Sequence, residues 1–206
     1  MKILPEYQYK YLKLVLPDGS SADGHKVLLH ACCAPCSSAI VECMLRNGMK
    51  PTVFFSNSNI YPAGEYDIRK KELIRFLEKQ NVPYVEDEYD HETWLNAIKG
   101  LENEPERGSR CSVCFQFRLR RAALYAQQHG FSLLTTTLAS SRWKNIRQID
   151  MAGQVAVENC PDVTWWEQNW RKGGLQMRRN ELLHLNDFYN QQYCGCEFSL
   201  RATIPK

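Results

Sequence analysis

Seven of the nine cysteines sit in three short segments. These are His30-Ala31-Cys32-Cys33-Ala34-Pro35-Cys36, Cys111-Ser112-Val113-Cys114 and Cys194-Gly195-Cys196. Cysteines used only as small apolar fillers would be scattered. Clustering at this spacing points to thiolates gathered for metal or redox chemistry. Cys-x-x-Cys alone has three readings: a redox pair, half a zinc site, or half an iron–sulfur site. With Cys32 and Cys33 it makes four thiolates from two loops, a set that zinc and an iron–sulfur cluster both accept. Cys194 and Cys196 flank a glycine that frees the backbone for both sulfurs to converge. A disulfide across one residue would be strained and easily reduced, so this pair reads as a redox couple or as ligands of a second metal. Cys43 shares a face with Ile40 and Met44 and reads as core, Cys160 as incidental. His30 reads either as a partner of the thiols or as a satisfied buried histidine.

The elements that must position these groups follow a strand–helix rhythm. Short apolar runs at Lys26–His30, Thr52–Phe55, Val82–Val85, Phe131–Leu138 and Val163–Trp166 predict strands. Helices are expected over Ser37–Asn47, Glu65–Gln80, His91–Gly100, Cys114–His129, Asn145–Asn159 and Leu175–Tyr189. In the second of these, Ile68, Leu73, Phe76 and Leu77 form the expected buried side. Alternation of this kind predicts an α/β fold with a mostly parallel sheet. Ligands of such sheets sit beyond the carboxyl ends of the strands. The first Cys group, Ser56–Pro62 and Thr135–Arg142 all fall there. Pro35 suits a first helical turn, and a helix N-terminus favours thiolate.

With 206 residues, 44% hydrophobic and 24% charged, the chain suits one α/β domain over 26–206 after an N-terminal extension, 1–25. No segment has the roughly 20 apolar residues of a membrane span, and no signal peptide is evident, so a cytoplasmic protein is expected. Disulfide frameworks are rare there, which favours metal or catalytic thiols. Net charge is only +3. Basic residues nevertheless cluster beside the second Cys pair (Arg107, Arg110, Arg118, Arg120, Arg121), after the Ser-rich turn (Arg142, Lys144, Arg147) and around Gly173-Gly174 (Arg171, Lys172, Arg178, Arg179). They read either as contacts for a polyanion such as RNA or as solvated helix faces.

Six ordered segments resemble one family, the QueH-type epoxyqueuosine reductases of tRNA queuosine synthesis. They are His30–Pro35; Asn57–Ile60 with Glu65, Tyr66 and Arg69; Arg110–Cys114; Thr135–Ser141; Trp170–Gly174; and Tyr193–Ser199. The resemblance spans about residues 26–200. It implies an adenine-nucleotide-hydrolase-like (HUP, Rossmann-like) fold. It also implies a [4Fe–4S] cluster on Cys32, Cys33, Cys111 and Cys114, and a redox-active pair, Cys194 and Cys196. An adjacent single iron or zinc would make Cys194 or Cys196 a ligand instead, and Cys36 a further ligand. The implied reaction is two-electron reduction of the epoxide, without cobalamin, in tRNA carrying epoxyqueuosine in its anticodon loop, with electrons from an external donor. Asn57, Asn59, Tyr61, Arg142, Arg171 and Lys172 are the expected substrate contacts. Trp143, Trp165, Trp166 and Trp170 join Tyr61 as stacking platforms or, equally, core. The competing readings are a zinc-stabilised RNA-binding module and an ATP-using tRNA-modifying enzyme. The latter needs a Gly-rich phosphate loop that Ala31–Pro35 lacks.

Overall fold

Val27–Ala31 is buried at all five positions, as a strand covered on both faces must be, and forms the central strand β1. The computed structural model describes residues 13–20 and 25–203, with side chains through residue 200. Of the expected N-terminal extension, residues 1–12 and 21–24 lie outside the described residues. Within the part that is described, Leu16 is buried in the core, and Trp166 donates Nε1–H to the Val15 carbonyl at 3.0 Å.

Four strands join β1: β2 (Thr52–Phe55), β3 (Tyr84–Glu86), β4 (Leu133–Thr136) and β5 (Thr164–Trp165). All pair in parallel, in the order β3-β2-β1-β4-β5. Leu28 lies opposite Thr52 on one side and Leu134 on the other. The order reverses between β1 and β4, so the loops leaving these strands diverge and open a crevice at their carboxyl ends. Successive residues of β1 and β2 serve different layers. Leu29, Ala31, Val53 and Phe55 join one core, Leu28, Phe54 and Leu134 the other.

Seven helices are described: α1 (Ala34–Arg46), α2 (Ala63–Lys79), α3 (His91–Ala97), α4 (Ser109–Gln128), α5 (Ile146–Val157), α6 (Leu175–Leu185) and α7 (Glu197–Thr203). Three begin earlier than expected, and two of the shifts, at α1 and α4, move cysteines. α1 starts at Ala34 because extended Cys33 is its cap, the sulfur accepting Cys36 N–H at 3.4 Å, with Pro35 in the first turn. α4 starts at Ser109, so Cys111 and Cys114 lie within its first turns, three residues apart on one face. α6 ends four residues before Tyr189, and α7, a helix not among those expected, follows the last cysteine pair.

Ile68, expected inside, is 45% exposed. The buried stripe of α2 is Glu65, Tyr66, Arg69, Leu73, Phe76 and Leu77. Its spacing is helical, but two of its members are charged and pair with each other, so hydrophobicity alone chose the wrong neighbour. Cys43 is core, as expected. Cys160, read as incidental, is 2% exposed and belongs to the second core. No described helix is long and apolar enough to cross a membrane.

Gly153 provides a test of the packing between α5 and β5. A Cβ there would fall 2.1 Å from the ring of buried Trp165. In an open helix Gly→Ala gains about 0.8–1.0 kcal/mol, but overpacking a core costs about 1–3 kcal/mol. Gly153→Ala should therefore lower the thermal midpoint, and an unchanged or raised midpoint would show that α5 moves freely on the sheet.

Candidate metal centre

Where β1 ends, Cys32, Cys33 and Cys36 place their three sulfurs within 4.8 Å of one another. No other such group of cysteine, histidine and carboxylate ligands occurs among the described residues. The Cys32 and Cys33 sulfurs are 3.8 Å apart. Two thiolates on a tetrahedral ion, with bonds of about 2.3 Å, are separated by about 3.8 Å. The trio therefore suits a thiophilic metal. Hydrogen bonds from Cys33 and then Cys36 hold the Cys32 thiol well below its ordinary range, and the Arg118 and Lys144 cations add to this. Burial pushes Cys33 well above that range. Cys36 is raised to about 11, chiefly by its hydrogen bond to Cys32. Metal binding would take all three as thiolates and release the protons that burial favours on Cys33.

His30 is spent on the scaffold. Its Nε2 lies 3.0 Å from the Ser56 carbonyl, which can only accept, so Nε2 carries the proton. Nδ1 therefore accepts from the Thr136 hydroxyl at 2.7 Å. Burial lowers its pKa to about 3, keeping it neutral. This is the satisfied buried histidine, and neither nitrogen bonds a sulfur.

Cys111 and Cys114 lie outside the trio and associate with the third group. Both are raised by burial, Cys114 to about 12, and both are within electrostatic reach of Cys194 and Cys196. Cys114 and Cys196 share an apolar wall with Trp94 and Ile98. Trp94, fully buried, was not singled out in the sequence because nothing local marks it as a neighbour of the thiols.

Lys144 connects the two thiol groups. Its Nζ is 3.2 Å from Cys194 Sγ. Burial works against its charge, but the sulfurs of Cys194 and Cys32 outweigh burial and hold the ammonium above its ordinary range. Arg171 donates to the Lys144 carbonyl at 2.7 Å. Lys144, Cys36, Cys111, Cys194 and Cys196 line one polar cavity of about 550 Å³.

The residues expected to contact substrate are dispersed. Arg142 and exposed Trp143 line the cavity mouth, the guanidinium 5.0 Å from the indole centroid. Asn57 is buried, donating to the Ala31 carbonyl at 2.8 Å and accepting from Arg118. Asn59 is buried against Gly195, and its Oδ1 has no partner among the described residues. Tyr61 is exposed and stacks on His91 at 5.4 Å. Lys172 is exposed but does not line the cavity. Trp165, Trp166 and Trp170 are core. The basic cluster beside the second Cys pair is only partly available to a polyanion. Arg118 is buried, and Arg110 is buried with its guanidinium on the carbonyls of Leu101 and Glu102 and over Phe198. Arg121 is paired with Asp87 at 2.7 Å.

Fold and site together define a parallel α/β protein with a buried cysteine trio that could hold a metal at the carboxyl rim of its sheet. Residues 27–202 match the family model described as epoxyqueuosine reductase QueH. The epoxyqueuosine reductase QueH of Acinetobacter baylyi is 48% identical over 192 residues, 93% of this chain and 86% of that protein. Those of Histophilus somni and Haemophilus influenzae are 47% and 48% identical, covering 93% and 92% of this chain and 77% and 76% of theirs. The chain belongs to the QueH epoxyqueuosine reductase family.

Proposed function

We propose that this protein reduces the epoxide of epoxyqueuosine in tRNA to the alkene of queuosine. The balanced step takes two electrons and two protons, breaks both C–O bonds of the epoxide and releases the oxygen as water. The observation that carries this reading is one polar cavity holding four thiols and a lysine ammonium. The strand order fits the adenine-nucleotide-hydrolase-like class, with the thiols where that class would place its ligand.

Cys32 and Cys33 of the trio, joined by Cys111 and Cys114 of α4, would make an all-sulfur set for a [4Fe–4S] cluster and would leave Cys36 for an adjacent iron or zinc. Bound there, the cluster would relay electrons from an external donor. Other tasks fall to the chain's own side chains. Oxygen gains negative charge as each C–O bond breaks, and the Lys144 N–H groups are the donors placed to meet it in the cavity. Trp94 and Ile98 form an apolar wall behind Cys114 and Cys196. Arg142 and Trp143 at the mouth offer a phosphate contact and a stacking face for an unpaired loop nucleotide.

Incubating metal-loaded protein anaerobically with epoxyqueuosine-containing tRNA and a strong reductant should yield queuosine on nucleoside analysis. No product from loaded protein overturns the reading. Anaerobically purified protein should be brown, with iron and sulfide; colourless protein holding only zinc favours an RNA-binding module instead. Cys196→Ala should keep most of the metal and lose turnover, because its sulfur belongs to the reactive pair. Loss of metal and turnover together would make Cys196 a primary ligand.

A further inference from the structure

Arg69 has almost no access to solvent, yet its guanidinium is fully engaged. Nε donates to Glu65 Oε1 at 2.7 Å, one turn back on α2. Nη1 donates to the Cys194 carbonyl at 3.1 Å and Nη2 to the Tyr193 carbonyl at 3.2 Å. Tyr189 closes the other side, its hydroxyl donating to Glu65 Oε2 at 2.8 Å. The same loop is gripped from the segment after β2: Tyr61 N–H donates to the Gly195 carbonyl at 2.9 Å, and the Tyr193 hydroxyl to the Tyr61 carbonyl. Gly195 has φ of +131°, and a Cβ there would meet Arg69 Nη1 and Ile60 at 3.1 Å. The loop thus lies directly on the guanidinium.

We propose that Arg69, oriented by Glu65, is a positioning residue that holds the Cys194-Gly195-Cys196 loop, and with it both sulfurs, in register with the thiols at the ends of β1 and α4. A buried ion pair is a poor device for stability alone, since its desolvation cost commonly cancels the Coulomb gain. A planar fork that reads two successive carbonyls and one carboxylate at fixed angles is a good device for geometry. The segment from Asn186 to Cys196 contains no described helix or strand, so its course depends on such side-chain anchors.

The inference rests on the proposed function for the claim that these sulfurs act in turnover, but its test can be read without turnover. Arg69→Lys keeps a cation beside Glu65 and loses the fork, whereas Gly195→Ala disturbs the loop and leaves the ion pair in place. In holoprotein, alkylation mapped by mass spectrometry should speed up at Cys194 and Cys196 in both variants while core Cys43 and Cys160 react as in wild type. Turnover should fall about tenfold to a hundredfold in kcat, with KM held within roughly twofold. Arg121→Lys, which weakens the Asp87 pair, is the control for stability loss and should leave both readouts unchanged. Unchanged rates at Cys194 and Cys196 in both variants would overturn the proposal. So would acceleration shared by all four cysteines, the mark of general loosening. Local acceleration in a protein that makes no queuosine would sustain the positioning role and refute the proposed reaction.

Discussion

Cys33→Ala is expected to remove bound metal and turnover together. Its sulfur lies within 4.8 Å of both Cys32 and Cys36 and caps the first turn of α1 at Cys36 N–H. Deleting it removes a donor and loosens the turn that aims a second one. The three thiols left to the proposed cluster (Cys32, Cys111 and Cys114) are one short of a closed set, and metal-site binding energy is also folding energy. Cys43→Ala, on the same helix but in the core, supplies the comparison. It should lower the melting midpoint through lost packing and keep its metal. Iron and zinc analysis, the visible spectrum and queuosine formation, measured on both variants, decide the matter. A Cys33→Ala protein with a full metal complement would exclude the trio as a ligand set.

Lys144→Met is expected to lower kcat about a hundredfold or more, the scale of a lost proton donor, with little change in KM. Methionine keeps the length and apolar stem, so the change isolates the ammonium. Its Nζ is 3.2 Å from Cys194 in the cavity that also exposes Cys36, Cys111 and Cys196. Lys144→Arg retains charge but not the compact geometry and should recover only part of the rate. An effect confined to KM would assign Lys144 to phosphate binding, the role its neighbours in sequence had favoured. Iron content and spectrum must match wild type for the comparison to hold.

How much of this was legible from residue order differs by element. The inner strands β1, β2 and β4 were, because a strand buried on both faces is a continuous apolar run. Their carboxyl rim followed from alternation with helices, and it brought the first Cys group, the Asn-rich turn and the Ser-rich turn to one end of the sheet. The helix starts were less legible, because cysteine at a cap carries no familiar signal, so α1 and α4 begin three and five residues early. Burial of Arg69, Arg110 and Arg118 was not legible at all. A charged side chain reads as surface until its partners are known, and these partners, apart from the Glu65 carboxylate one turn back on α2, are carbonyls and an amide in other loops. The joining of Cys114 to Cys196 through Trp94 likewise depends on contacts far apart along the chain. Lys144 was visible only as one cation among several.

The wide spacing of the thiol segments also sets an order in time. About 160 residues separate Cys36 from Cys194. At ribosomal rates of about 5–20 residues per second, the first three thiols emerge roughly ten to thirty seconds before the loop that completes their surroundings. Through that interval they lack the Arg69-held loop. The early thiols therefore have to stay reduced throughout that interval, so the demand for a reducing environment begins on the ribosome.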